Sequence, residues 1–126
     1  VVIPTLNRHQ IHEMADSGLV EFYPHSDTHP KLDLISDNAL KSEIRISKDI
    51  LEKELNTEMT VFAYPYGRYN EAIAQTLREN KFCAAFTVKA GSVSDRVEPF
   101  AINRNSIDSQ VTLAMFKGIV KRGRYK

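Results

Sequence analysis

Helix-period segments alternate with short β-prone runs along the whole chain, and no other feature constrains the fold as much. Thr5 or Asn7 can cap a first helix that carries Ile11, Met14 and Ala15 on one face and closes at Gly18. Val20-Glu21-Phe22-Tyr23 then reads as a strand, and Leu32 and Leu34 begin another buried stretch. Ser36 or Asp37 caps the longest helix, in which Leu40, Ile44, Ile50, Leu51 and Leu55 recur at three- and four-residue spacing. Its polar face holds Lys41, Glu43, Arg45, Lys48, Asp49 and Glu52, and its expected role is to cover a sheet, silent in function.

A β-prone run over 60–64 follows, stopped by Pro65 and Gly67. Asn70 caps a helix through Ala72, Ile73, Ala74 and Leu77 to about Asn80, and 82–88 is the next strand. A short extended piece over 100–102 precedes a last helix, which starts at Asp108 or Ser109 and ends at Gly118. This order predicts an α/β fold with parallel strands. In such folds ligands gather outside the carboxyl ends of the strands, in open sheets and barrels alike. Three features fall at those ends: the loop with His25 and His29, the Tyr64-Pro65-Tyr66-Gly67 turn, and Asn103-Arg104. Residues far apart in sequence are therefore expected to meet at one rim.

The first of these, His25-Ser26-Asp27-Thr28-His29-Pro30, puts two imidazoles four residues apart where Pro24 and Pro30 forbid a helix interior. Imidazole is the commonest protein ligand for zinc, so the pair reads as metal ligands, or else as a hydrogen-bonded turn; a metal needs a third ligand. Asp27 reads as a turn residue, and the Ser26 and Thr28 hydroxyls as caps of the turn. His9 and His12 read as a solvent-exposed helix face. Tyr64 and Tyr66 alternate along an extended segment, so one is expected in the core and the other able to line a groove. Tyr69 and Asn70 finish that turn and cap the next helix.

The 126 residues bound a single domain over 1–126 with room for a real core. A content of 42% hydrophobic and 26% charged residues is that of an ordinary globular protein, and a net charge of +1 gives no nucleic-acid signal. The basic run over 117–126 reads as a solvated, partly frayed tail. Cys83 is the only cysteine, which excludes an internal disulfide and a Cys-based zinc site; inside an apolar strand it is expected to be a small buried hydrophobe. There is no apolar run long enough to span a membrane and no signal peptide. Neither Gly-x-Gly-x-x-Gly nor Gly-x-Ser-x-Gly occurs, which speaks against phosphate-cradling loops and nucleophile elbows. The chain opens on Val rather than Met, so further residues are expected upstream.

Taken together, His-Ser-x-Thr-His-Pro after Gly-Leu-Val-Glu-Phe, a Glu-containing long helix, Phe62-Ala63-Tyr64-Pro65-Tyr66-Gly67-Arg68-Tyr69-Asn70, a strand with Ala-Ala-Phe-Thr and a late Ile102-Asn103-Arg104 form one series. That series resembles the polysaccharide deacetylase (NodB-homology, carbohydrate esterase family 4) domain over nearly the whole chain. The resemblance implies a partial, deformed (β/α) barrel and removal of N-acetyl, or in some members O-acetyl, groups from a polysaccharide. It implies that His25 and His29 bind a divalent metal, usually zinc. It further implies that the backbone N–H of Tyr66 helps hold the oxyanion while Tyr64, Pro65 and Gly67 belong to one wall of the substrate groove.

The sequence departs from the family pattern in three places. It contains no Asp-Asp, the pair that supplies the family's general base and third metal ligand, and which would lie upstream. Ala63 stands where many members carry Arg two residues before the turn proline, a marker of one branch. The late Leu-x-His motif is missing; Arg104 stands in that region and is open between contact with a carboxylate of the absent strand and a surface salt bridge. The resemblance therefore implies either an enzyme incomplete in these residues or a catalytically inactive carbohydrate-binding or structural remnant. An extracellular or cell-surface setting goes with such substrates, and exposed sheet edges invite self-association.

Overall fold

The computed structural model describes residues 5–94 and 96–123. Arg124 and Lys126 of the basic run lie outside them, whereas Lys121 and Arg122 close the last described helix. Helix α1 spans Arg8–Asp16, α2 Asp37–Leu55, α3 Glu71–Glu79 and α4 Leu113–Arg122. Strand β1 is Val61–Ala63 and β2 is Ala84–Phe86, and single 3-10 turns form at Leu32–Leu34 and Pro65–Gly67.

The helix starts follow local chemistry. Asn7 and Gln10 form a reciprocal capping box at α1, with both bonds at 2.9 Å. Ser36 caps α2 through Ala39 N–H, and Asn70 caps α3 through Ile73 N–H at 2.9 Å. Each such oxygen satisfies an N–H that the helix itself cannot, typically stabilising by about 1 kcal/mol.

Strands β1 and β2 pair in parallel, with Phe62 opposite Ala85, and Ile102 adds a parallel bridge to Phe86. The order β1, β2, Ile102 puts three carboxyl ends on one side, as expected. Helices α2 and α3 pack together over this arc. The core between them consists of Leu40, Ile44, Met59, Phe62, Tyr64, Ile73, Leu77, Phe82 and Ala85, with Leu32 closing it from the 3-10 turn. Burying each large apolar side chain of this set contributes about 1.5–3 kcal/mol.

Several expectations give way here. Residues 20–23 form no ladder; Pro24 accepts one bond from Ala63 N–H at 3.1 Å, too little for a strand. The piece over 100–102 reduces to the bridge at Ile102, because Ala101 N–H turns back to Glu98 at 2.9 Å. Leu34 is exposed although Leu32 is buried. Helix α4 starts later than the apolar pattern implies: Asp108 closes a turn on Gln110 and Val111, Thr112 becomes the cap, Gly118 is buried mid-helix, and Gly123 at φ +68° ends it.

Cys83 is exposed, not buried. It stands just before β2, facing away from buried Phe82, with its thiol on the Thr60 carbonyl at 3.3 Å. His12 is also not simply solvated, since its Nε2 meets Glu54 on α2 at 2.9 Å. No helix of the described residues is long and apolar enough to cross a membrane.

Candidate metal centre and groove wall

His25 and His29 meet at the carboxyl end of the parallel arc. Their Nε2 atoms are 3.0 Å apart and their rings stand edge to face with centroids at 4.7 Å. The Nδ1 of His25 lies 2.7 Å from the Ala63 carbonyl at the end of β1. A carbonyl oxygen only accepts, so His25 carries its proton on Nδ1 and presents a bare Nε2 lone pair. In the neutral pair His29 Nε2–H must then be the donor between the two rings.

The loop that carries the pair is wound tightly. Ser26 and His29 both adopt left-handed backbone, at φ +65° and +60°. Such a conformation costs a non-glycine residue roughly 1–2 kcal/mol, so neighbouring bonds must hold it. Ser26 Oγ accepts from His29 N–H at 3.0 Å. Glu43 on α2 accepts from the Asp27 and Thr28 amides, each at 2.9 Å, and from the Thr28 hydroxyl. Burial pushes the Glu43 carboxyl up, but the Thr28 hydroxyl and the two amides outweigh it, so the group titrates below its ordinary range. Asp27 behaves as the turn residue expected of it.

Opposite the loop stands the 64–67 turn, and its four residues face different ways. Tyr64 is fully buried, with its hydroxyl donating to the Phe100 carbonyl at 2.9 Å and its ring stacked on Tyr69 at 4.9 Å. Burial, followed by the neighbouring Tyr69, pushes its hydroxyl pKa well up. Pro65 is buried too. Tyr64 and Pro65 therefore back the wall and present no surface to a groove. Tyr66 is the outward member of the pair left open by the alternation: 55% exposed, its ring edge to face with His29 at 4.7 Å, and Lys31 Nζ 5.8 Å from its centroid.

Tyr66 has a left-handed φ of +58°, and the turn's own bonds run from Gly67 N–H to Tyr64 and from Arg68 N–H to Pro65. Neither uses the Tyr66 N–H. Gly67 follows at φ +64°, where a Cβ would come within 2.4 Å of Val88 Cγ2 and 2.8 Å of its backbone nitrogen, so only glycine fits. Arg68 forks onto Asp33, tying the wall to the 3-10 turn after the histidine loop.

The family model described as polysaccharide deacetylase matches residues 5–85, more than half of the chain. The chain belongs to the polysaccharide deacetylase family. Among solved structures, the Streptococcus pyogenes deacetylase PplD in complex with acetate superposes with a TM-score of 0.84 at 28% identity, over 94% of this chain and 51% of that one. The Bacillus cereus polysaccharide deacetylase BC0361 superposes at 0.79 with 26% identity, over 90% of this chain and 36% of that one. YxkH of Bacillus subtilis (strain 168), named as a candidate polysaccharide deacetylase, is 23% identical over 116 residues, 92% of this chain and 41% of its own length. The chain thus spans about half the length, or less, of the relatives it matches.

In this polysaccharide deacetylase chain the histidine pair and Tyr66 come together, while Arg104 does not join them. Its guanidinium bonds the Thr87 carbonyl at 2.8 Å and lies 5.9 Å from the Phe86 ring, and it makes none of the ion pairs found among the described residues. The surface salt bridge is therefore absent there. The residue that sequence reasoning missed is Glu43. Its only signal was its place in the polar stripe of α2, which a solvated glutamate shares.

Proposed function

We propose that this chain supplies the histidine pair and the oxyanion-side wall of a metal-dependent deacetylase acting on an acetylated polysaccharide. The observation that carries this reading is the convergence of two imidazole Nε2 atoms, with His25 locked in the tautomer a ligand needs. On the same reading the parallel arc of β1, β2 and Ile102 is part of a deformed barrel.

The donor set fits two positions of a divalent metal, with zinc the best match for neutral imidazoles. Among the described residues no group of three His, Cys, Asp or Glu could hold an ion. On this reading a third ligand has to join the two histidines, and the family's Asp-Asp, missing from this sequence, is the pair that would supply it together with the general base. When bound, such a metal polarises the acetyl carbonyl and acidifies a water.

The chain's own residues do the rest. Ala63 and Glu43 hold the ligand loop in place. The Tyr66 N–H, unused by its turn, is a donor for a developing oxyanion, a role typically contributing about 10²–10³ in rate. The exposed Tyr66 face offers a stacking surface to a sugar ring. A cell-surface or extracellular setting belongs to this proposal, because such polymers lie there.

The test is zinc content of the purified chain beside a His25→Ala/His29→Ala variant, then acetate release from N-acetylglucosamine oligomers, peptidoglycan and acetylated xylan. Zinc bound by the chain and lost in the variant supports the metal site. Zinc in neither means that these residues do not hold the ion without the third ligand; zinc bound equally by the variant overturns the assignment and leaves the second reading, a carbohydrate-binding or structural module. Zinc bound without acetate release assigns the chain the ligands but not the chemistry. Light scattering reports whether the exposed edges pair chains.

A further inference from the structure

Glu43 lies outside the loop it touches, on the rigid body of α2. Between the two histidines, the Asp27 and Thr28 amides both point at Glu43 Oε2, and the Thr28 hydroxyl donates to Oε1. These amides are flanked by left-handed Ser26 and His29. Successive N–H groups in such a turn form a concavity that takes an anion. Here the anion is a carboxylate of the same chain. The third amide in the series, that of His29, goes to Ser26 Oγ.

The two imidazoles are held differently. His25 is tied by its own ring nitrogen to Ala63 at 2.7 Å. The ring contacts of His29 are with the other two site rings, His25 and Tyr66. Apart from its Nε2 contact with His25, the aim of His29 is thus set by the backbone of 26–29, and that backbone is anchored on Glu43.

We propose that Glu43 is a positioning residue for the cation site: its carboxylate holds the 26–29 turn so that both Nε2 atoms face one divalent ion. The inference rests on the metal reading above and adds a residue outside the histidine motif to it. Glu43→Gln keeps size and shape but removes the charge: its oxygen can keep the two amides only if its NH2 faces the Thr28 hydroxyl, which must then turn from donor to acceptor, so the charge-assisted character of all three bonds is lost.

The experiment uses the 126-residue chain as wild type, Glu43→Gln and Thr28→Val. Zinc affinity is measured by competition with a chromophoric chelator, the cobalt(II) visible spectrum reports ligand geometry, and amide exchange is followed at Asp27 and Thr28. Glu43→Gln is expected to weaken zinc roughly 10–100-fold, to alter the cobalt spectrum, and to speed exchange at both amides, with helix content unchanged. Faster exchange with unaltered zinc affinity and cobalt spectrum overturns the proposal. Should Glu43→Gln not fold, Thr28→Val decides, with a smaller loss of affinity expected and an unchanged affinity overturning it. If the wild type binds no zinc, the missing third ligand accounts for it and the zinc comparison is replaced. Positioning is then read from the His25–His29 inter-ring NOE in the metal-free chain: its loss in Glu43→Gln supports the role, and its retention overturns it.

Discussion

The Ala63 carbonyl and the Nδ1 of His25 are 2.7 Å apart, and this one contact decides which nitrogen of His25 faces His29. It joins the end of β1 to the histidine loop across 38 residues of sequence. Neutral His25 should therefore carry its proton on Nδ1 in mildly alkaline buffer. Long-range imidazole nitrogen–proton correlation spectra check this directly; an Nε2–H tautomer at His25 would contradict the geometry.

Gly67 packs its bare Cα against Val88. Gly67→Ala should destabilise the chain by about 1–3 kcal/mol through overpacking, with the left-handed φ adding to it. Urea unfolding measures the change. Adding Val88→Ala should restore only part of the loss, because the Val88 backbone nitrogen, 2.8 Å from the new Cβ, stays where it is.

Tyr64→Phe removes a buried hydroxyl and leaves the Phe100 carbonyl without that donor. The expected cost is about 1–3 kcal/mol. Thermal melts would show it, and the stacked partner Tyr69 should gain mobility in the same variant. No change in melting would mean that the carbonyl finds another donor.

Acid should unfold the protein through carboxylates held down by backbone amides. Glu52 accepts from Met59 N–H at 2.9 Å and pairs with Lys48, and these contacts lower its pKa below the ordinary 4.5. Glu43 is lowered as well. A carboxylate whose folded pKa is depressed lends stability that is fully present above its unfolded value. That stability is lost as pH falls through the folded one. Stability should thus be flat above about pH 5 and decline below it, and Glu52→Gln should flatten the decline in melts taken across that range.

The sequence makes its helices legible because their chemistry is local: Asn7, Ser36 and Asn70 each announce a start within three residues. The positions of the histidine loop and the Tyr66 turn were equally readable, since Pro24 and Pro30 bound the first and Pro65 and Gly67 mark the second. Tertiary terms hid the rest. Residues 20–23 look like a strand by composition, but a ladder needs a partner, and only Pro24 finds one among the described residues. Cys83 looks apolar by its neighbours, but which side it faces depends on how Phe82 docks into the core. Glu43 looks like any solvated glutamate until the loop folds over it, because the donors it meets lie 15 and 16 residues upstream.

Ile44, wholly buried, follows Glu43 directly on α2. A trimmed methylene at Ile44 would let α2 resettle and carry the carboxylate with it. If the proposed cation site holds, its affinity should therefore answer to side chains packed beneath the helix, and a library selected for tighter cation binding should return winners from there as well as from the rim.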